Sequence, residues 1–259
     1  MRVLAIEAST PAGSVAVMEG RVPIGELWFM GPRAHSERLL VCLDALLKML
    51  KMEPRLVDGL AVGVGPGSFT GVRVALSTAK GLALGLEVPL VGISTLEALA
   101  GGVPFWPGLI CPIVDARAGR VYGALFRFVD GRLEELEGEG IRELVPWITP
   151  VREPVLFLGD GAVSYKEEIT TTMGDLAKFA PAEFTYPRAS VVGRLGAELL
   201  ERGEHQDVDV LVPRYVRATQ AERERASRQD FGANVMQVAE KWASGDKTSQ
   251  ADSLGGGRY

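Results

Sequence analysis

The stretch VGVGPGSFTGVRVALSTAKGLAL (residues 62–84) runs from an apolar strand through a glycine-rich turn into a helix of small residues. A strand, a turn and a helix in this order indicate one unit of a layered α/β sheet. The same order of elements also suits the binding of an anion, because glycines let the backbone come close to the anion and a helix N-terminus presents free N–H groups. Two alternatives are therefore open: the turn serves a ligand, or the helix serves a partner.

The segments on either side of this unit continue the α/β pattern. A hairpin and a third strand open the chain, and strands and helices then alternate. The elements predicted here are strands at 2–8, 14–18, 22–30, 57–64 and 88–93 and helices at 35–51 and 69–86.

The composition changes to glycine and proline at GGVPFWPG (101–108), which marks a lobe boundary. A second set of elements follows and opens like the first, with strands in a hairpin-like order. Its predicted elements are strands within 109–116, 121–138, 155–162 and 210–217 and a helix at 190–202. The predicted domains are an N-terminal lobe at 1–103, a C-terminal lobe at 104–218, and a charged tail at 219–259 that is partly helical and then disordered.

The 259 residues have a globular composition, with 47% hydrophobic and 24% charged residues. A formal net charge of −5 argues against a protein that holds nucleic acid by its own electrostatics. No apolar run reaches membrane-spanning length and no signal-peptide core is present, so we expect a cytoplasmic protein with no membrane partner. Cys42 and Cys111 show no paired spacing and are expected to be small buried hydrophobic residues.

Several segments occur in the order and spacing of the TsaB (YeaZ) family, which the chain resembles over most of residues 1–217. They include LAIEASTPAGSVAVMEG (4–20), RAHSERLL (33–40), GPGSFTGVR (65–73), PIVDARAGRVYGALF (112–126) and PRYVR (213–217). The resemblance implies an α/β, two-lobed actin-like fold, also found in sugar kinases and Hsp70, in which each lobe is a mixed sheet with flanking helices. It further implies a role in forming threonylcarbamoyladenosine at the adenosine 3′ of the anticodon, in tRNAs that read codons beginning with A.

The resemblance also implies partners. In that family the protein is the non-catalytic companion of TsaD, and the ATPase TsaE is the third member of the complex. It forms a homodimer when TsaD is absent. tRNA is then reached mainly through the complex. ATP or ADP with Mg²⁺ would belong to the complex, and this subunit would hold no cofactor tightly.

Two turns resemble nucleotide-binding turns of the wider superfamily. The first hairpin turn resembles the phosphate loop of sugar kinases, where a carboxylate reaches magnesium, and LGDGA (158–162) resembles a turn that stacks on adenosine. Turns of this composition also form without a ligand, and we favour that structural interpretation. The candidate nucleotide or phosphate contacts are Glu7, Ser9, Thr10, Gly13, Asp115, Gly159 and Gly161.

The sequence predicts neither a metal site nor a catalytic residue. In the related TsaD family, two histidines four residues apart bind a metal from one helix face. Here Leu39 stands at that spacing after His35, so one imidazole remains. Ser68 also lacks the Gly-x-Ser-x-Gly frame of a nucleophile elbow because Pro66 occupies the first glycine position, which gives no support to a protease.

The two predicted helices of the first lobe suggest a docking face. The helix at 35–51 is apolar over a wider arc than one sheet covers, and the small residues at 69–86 would let another helix come close. We expect the row Gly71, Ala75, Ala79 and Ala83 to face the sheet. The alternative is burial of both helices within their own lobe. The predicted partner-binding residues are Leu39, Leu43, Leu46, Leu50, Ser77, Gly81 and Gly85.

Two functions of different classes remain open. The first is a non-catalytic subunit that holds TsaD, or a second copy of itself, through its paired helices. The second is a sugar-kinase-like or nucleotide-hydrolysing enzyme that uses Glu7, Ser9 and Asp115 around a magnesium-bound nucleotide. The missing histidine pair and the surplus apolar helix surface favour the first.

Overall fold

The computed structural model describes residues 1–31, 34–117 and 119–214, without the side chains of residues 34–37. The described residues, up to 214, belong to one compact unit. The tail predicted at 219–259 lies outside the described residues.

The first sheet lies at the N-terminal end of the chain. Its strands are β1 (Arg2–Glu7), β2 (Ala12–Glu19), β3 (Val22–Met30), β4 (Gly59–Gly63) and β5 (Leu90–Ile93). They are ordered β3-β2-β1-β4-β5. The first three strands pair antiparallel, whereas β1, β4 and β5 run parallel. The sheet is therefore mixed, with a hairpin side and a crossover side.

Three helices belong to this part of the chain: α1 (Ala34–Met49), α2 (Phe69–Leu86) and α3 (Thr95–Gly101). α1 packs against β2, β3 and α2, and α2 packs against β4. Leucines of α1 and alanines of α2 close an apolar core with Leu4, Ile6 and Val62. Ser68 begins α2 by accepting a hydrogen bond from the Gly71 N–H at 3.2 Å.

The second sheet repeats this layout. Its strands are β6 (Leu109–Asp115), β7 (Arg120–Val129), β8 (Arg132–Glu143), β9 (Val155–Leu158) and β10 (Ala177–Phe179). They are ordered β10-β9-β6-β7-β8, with β6, β7 and β8 antiparallel and β6, β9 and β10 parallel. The helices here are α4 (Leu144–Ile148), α5 (Asp160–Ser164) and α6 (Lys166–Met173). Short 3-10 turns occupy Pro54–Leu56, Gly174–Leu176 and Ala182–Phe184.

The helix α7 (Ala189–Glu201) packs against the first sheet, although sequence reasoning placed it in the second lobe. A Cβ at Gly193 would lie 2.6 Å from Met18 Cγ, so the helix needs glycine to come this close. Val192 and Ala197 complete a second apolar core with the strands beneath. An apolar stripe shows that one helix face is buried but not which sheet covers it, which explains the difference.

The strand predicted at 210–217 does not form over residues 210–214, and the remainder lies outside the described residues. Pro213 has no N–H to donate to a strand partner. The chain from 206 to 214 instead bonds to the first sheet at two points. The Gln206 side chain accepts from the Gly92 N–H of β5 at 2.9 Å, and the Arg214 N–H donates to the carbonyl of Val64, just after β4, at 2.8 Å. The division of the chain at residue 103 stays a prediction.

Candidate functional site

The turn between β1 and β2 packs directly against the glycine-rich turn that precedes α2. The Ser68 N–H donates to the Ser9 carbonyl at 2.6 Å. Gly67 has φ of 155° and lies so close to the same carbonyl that a Cβ would collide with it. Since the Ser68 hydroxyl also caps α2, both the N–H and the hydroxyl of Ser68 are bonded within the chain.

Glu7 is fully buried at the end of β1. Its Oε1 atom accepts a hydrogen bond from the Ser9 N–H at 2.6 Å, whereas Oε2 has no partner in the described part of the chain. Gly63 on β4 packs against this oxygen. Burial raises the pKa of Glu7, and hydrogen bonding by Ser9 opposes the rise in part. An enclosed carboxyl of this kind suits a structural role better than contact with a hydrated magnesium ion.

The other candidate residues of this turn are also buried, and the Ser9 hydroxyl has no hydrogen-bond partner among the described residues. The Thr10 hydroxyl donates to the Ala12 carbonyl at 3.2 Å. The neighbouring Ser14 hydroxyl accepts from the Ala189 N–H at 2.8 Å and thereby caps α7. The structure thus brings Glu7, Ser9, Thr10 and Gly13 together in one buried turn.

Asp115, Gly159 and Gly161 come together at the equivalent end of the second sheet. Asp115 Oδ1 accepts hydrogen bonds from the Arg117 N–H at 2.7 Å and from the Tyr165 hydroxyl at 2.8 Å. Both glycines pack on the backbone of β6, where a Cβ at Gly161 would lie 2.9 Å from the Ile113 carbonyl. Close packing of two backbones therefore accounts for these glycines without a nucleotide.

Sequence reasoning missed two members of this cluster. Asp160 Oδ1 accepts from the Asp115 N–H at 3.0 Å, and Tyr165 holds the other side of Asp115. Burial, and secondarily the nearby Asp115 charge, raise the pKa of Asp160 despite its hydrogen bonds. Asp160 lies inside the quoted glycine turn and could have been noticed there, whereas Tyr165 carries no local signal.

The α1 part of the predicted docking face needs correction. Leu39, Leu43 and Leu46 are buried in the core of this chain, and Leu50 is partly buried against β3. The apolar arc of α1 looked wider than one sheet covers, but β2, β3 and α2 enclose it from three sides. Leu39, Leu43 and Leu46 are therefore not free to contact another protein, whereas Leu50 is only partly covered.

The α2 part has the predicted orientation. Gly71, Ala75, Ala79 and Ala83 are buried, whereas Ser77, Gly81 and Gly85 are exposed. Apart from the neighbouring residues and the backbone of α2 itself, no atom of the described residues lies within 4 Å of a Cβ built at Gly81 or Gly85. Leu84 is 64% exposed beside them, and Val41 on the neighbouring α1 is 65% exposed. We define the exposed helical face by Leu40, Val41, Ser77, Gly81, Leu84 and Gly85.

The described side chains include no group of three or more His, Cys, Asp or Glu residues placed to hold a metal ion. The side chain of His35 lies outside this description. Among the helices built from the described residues, none has the length and apolar content to cross a membrane.

Two mixed sheets with flanking helices define an actin-like α/β protein, which confirms the predicted fold class. The family model described as TsaD, tRNA N6-adenosine threonylcarbamoyltransferase, matches residues 30–225. The tRNA threonylcarbamoyladenosine biosynthesis protein TsaB of Bacillus subtilis is 35% identical over 225 residues, which are 86% of this chain and 96% of that protein. The chain therefore belongs to the TsaB (YeaZ) family.

Two further relatives agree with this assignment. TsaB of Escherichia coli is 39% identical over 129 residues, which cover 49% of this chain and 55% of that protein. The solved structure of YeaZ from Pseudomonas aeruginosa superimposes with a TM-score of 0.71 at 27% identity, over 83% of this chain and 99% of that chain. The family resemblance inferred from the quoted segments is thus confirmed.

Proposed function

We propose that this protein is a non-catalytic subunit in the formation of threonylcarbamoyladenosine at the adenosine 3′ of the anticodon. It acts as a scaffold and activator of TsaD, together with the ATPase TsaE. Support for the pathway comes from the names of the relatives and from the matching family model. The observation that carries the scaffold role is the exposed helical face.

The glycines of this face make no close packing contact with the other described elements. A glycine in the middle of a helix destabilises it by roughly 1 kcal/mol relative to alanine. Gly81 and Gly85 nevertheless have open space where a Cβ would stand, so the packing of the described residues does not require them. Small residues do allow the backbone of a second helix to come close. Leu84 supplies exposed apolar surface next to Gly85, and Val41 is an exposed apolar residue of α1, which packs against α2.

The closed turn around Glu7 supports the subunit role over the sugar-kinase-like alternative. In this proposal, ATP or ADP with Mg²⁺ belongs to the assembled complex, and tRNA is held mainly by the complex, since the chain carries a net charge of −5. The subunit works in the cytoplasm and pairs with a second copy through the same face when TsaD is absent.

Co-expression with TsaD of the same organism tests the proposal. We expect the two chains to co-purify as a one-to-one complex whose mass is measured by light scattering. Threonylcarbamoyl transfer to tRNA should require this subunit in addition to TsaD, TsaE and the activated donor. Transfer by this subunit alone, or transfer at full rate without it, would contradict the proposal.

A further inference from the structure

The chain after α7 covers the free edge of the first sheet. We call residues 206–214 the strap, because they lie along β5, the edge strand. The Gln206 N–H donates to the Leu90 carbonyl at 3.1 Å, and the Gln206 side chain accepts from the Gly92 N–H at 2.9 Å. These bonds use backbone groups of β5 that an uncovered edge strand leaves unpaired.

Few apolar contacts hold the strap in place. Val208 and Leu211 are partly buried and pack against the core of the first sheet, whereas Val210 and Val212 are 71% and 64% exposed. Most other positions of the strap are exposed as well. Segments with few buried apolar contacts open at a lower free-energy cost than the whole fold. We therefore expect the strap to detach while the sheet stays folded.

The last residue of the strap contacts both sheets through polar groups. The Arg214 N–H donates to the carbonyl of Val64, just after β4, at 2.8 Å. The Arg214 guanidinium lies 3.4 Å from the Glu139 carboxylate on β8, and that side chain is only 10% exposed. Water and salt screen a partly buried charge pair less than an exposed one. Arg214 thus fastens the strap to the second sheet as well as to the first.

Glu97 on α3 lies near this arginine. The Glu97 carboxylate accepts a hydrogen bond from the Ser94 backbone, and burial raises its pKa above the ordinary value of 4.5. The charge of Arg214 lowers that pKa, whereas the charges of Glu139 and Glu135 raise it. Because Arg214 favours the ionised form of Glu97, ionised Glu97 favours the docked position of Arg214 to the same extent. Protonation of Glu97 therefore weakens the hold on the strap.

Other charged groups near Glu97 are engaged elsewhere. They line a cavity between α7 and the β7–β8 hairpin together with Glu97, and they are Arg21, Arg132, Arg194, Glu198, Glu201 and Arg202. Arg21 and the α7 residues of this set form ion pairs with one another. Among the described residues, Arg214 is the cation whose charge lowers the pKa of Glu97.

We propose that the strap is an acid-sensitive latch on the edge of the first sheet. The carboxylates of Glu97 and Glu139 hold the Arg214 guanidinium, and protonation of Glu97 releases the strap. Release uncovers the Leu90 carbonyl and the Gly92 N–H of β5. The latch is independent of the helical docking role, so either proposal can fail without the other.

Amide hydrogen exchange of the full chain, followed by NMR, tests the proposal when each rate is divided by the intrinsic rate at the same pH. The Gly92 and Arg214 amides report on the strap, and the amides of β4 report on the whole sheet. Since the pKa of Glu97 lies above 4.5, more than half of it is protonated at pH 4.5. Between pH 7 and pH 4.5 we expect protection of the strap amides to fall at least about threefold relative to β4. Constant relative protection would overturn the proposal.

Two variants assign this effect to the latch. Glu97→Gln imitates the protonated side chain and keeps an acceptor for the Ser94 backbone, so α3 should stay capped. At pH 7 we expect it to lower strap protection at least about threefold and to abolish the pH dependence. Arg214→Gln should have the same two effects, and it changes a side chain that is 54% exposed, which favours folding of the variant. Wild-type protection at pH 7 in both variants would contradict the latch.

His205 provides the matched control, because it lies next to the strap and a histidine ordinarily titrates in the same pH range. His205→Gln should leave the pH dependence of strap protection intact. A pH dependence that persists in Glu97→Gln and disappears in His205→Gln would assign the effect to the histidine and overturn the proposal.

Discussion

The Glu26 carboxylate on β3 accepts two hydrogen bonds from Ser190 at the start of α7, one from its N–H and one from its hydroxyl, each 3.1 Å long. Arg188 Nη2 donates to the same carboxylate at 2.8 Å. The first N–H groups of a helix have no partner within the helix, and its N-terminus carries partial positive charge. Glu26 therefore caps a helix that lies far along the chain and ties it to the edge strand of the sheet.

Replacing Glu26 by alanine should destabilise the protein. We expect Glu26→Ala to lower the free energy of unfolding by about 1–3 kcal/mol, because the helix N–H and the half-buried guanidinium lose their acceptor. The control is Glu19→Ala, which removes an exposed carboxylate 3.4 Å from Arg2 and should change stability by at most about 1 kcal/mol. Urea unfolding at pH 7 measures both, and equal losses would contradict the capping role.

The buried Glu7 predicts a dependence of stability on pH. Its folded-state pKa is raised above the ordinary value of 4.5, so the folded protein keeps a proton that the unfolded chain releases. The resulting stability is present below pH 4.5 and is lost as pH rises toward the folded-state pKa, with a slope of at most about 1.4 kcal/mol per pH unit. Glu7→Gln should remove this slope.

The comparison is made by urea unfolding of Glu7→Gln and the unmodified protein across the pH range, with Glu19→Gln as the exposed control. The unfolding free energy of Glu7→Gln should increase relative to that of the unmodified protein as pH increases above 4.5. Parallel profiles for the variant and the unmodified protein would show that Glu7 is ionised in the folded state.

Alanine substitution of Gly63 on β4 and of Gly81 on α2 should change the stability of the protein in opposite directions. A Cβ at Gly63 would collide with the Glu7 carboxyl, so Gly63→Ala should destabilise by about 1–3 kcal/mol. A Cβ at Gly81 meets no atom of another described element within 4 Å, and Gly81→Ala should stabilise by up to about 1 kcal/mol through helix propensity. Thermal unfolding of both variants checks the signs, and destabilisation by Gly81→Ala would contradict the open geometry.

Enlarging the exposed helical face should block docking without unfolding the subunit. We expect Gly81→Leu to weaken binding to TsaD by about tenfold or more, because the side chain projects into the space of the partner helix. Thr171→Leu, an exposed position on α6, is the matched control. Sedimentation of each variant with TsaD measures binding, and thermal unfolding of each alone measures folding. Binding that survives Gly81→Leu would remove this face from the proposal.

The purified protein should hold no stoichiometric zinc or iron. Leu39 is buried in the core on α1, so the position four residues after His35 offers no ligand and faces away from solvent. Elemental analysis after dialysis checks this, and one equivalent of a transition metal would contradict it.

Much of the first sheet could be predicted from the sequence. The strand at 22–30 and the helix at 69–86 agree with the structure because turn residues bound the first and the glycine turn bounds the second. The outward row of α2 also followed from the spacing of its small residues. The burial of Leu39 did not follow, because a helix pattern gives the width of an apolar arc but not the number of elements that cover it.

Other features had no local signal. The capping of α7 by Glu26 joins residues 164 positions apart, and the hydrogen bond from Tyr165 to Asp115 joins residues 50 positions apart. The candidate turns could be located in the sequence from their glycine, serine and threonine residues. The packing of the β1–β2 turn against the turn before α2 could not, because it depends on which turns meet in the fold. A cavity lined by Leu133, near the tip of the β7–β8 hairpin, and by Leu195 on α7 also joins residues that are far apart in the sequence.

The return of α7 to the first sheet has a consequence for biosynthesis. β1, β2 and β4 leave the ribosome long before residues 189–201, and at about 5–20 residues per second the delay is on the order of ten seconds. During that interval Val3, Ala5 and Ala61 lack the helix that buries them in the finished protein. A nascent chain interrupted before α7 carries a sheet with one bare apolar face, which makes it a substrate for chaperones and proteases.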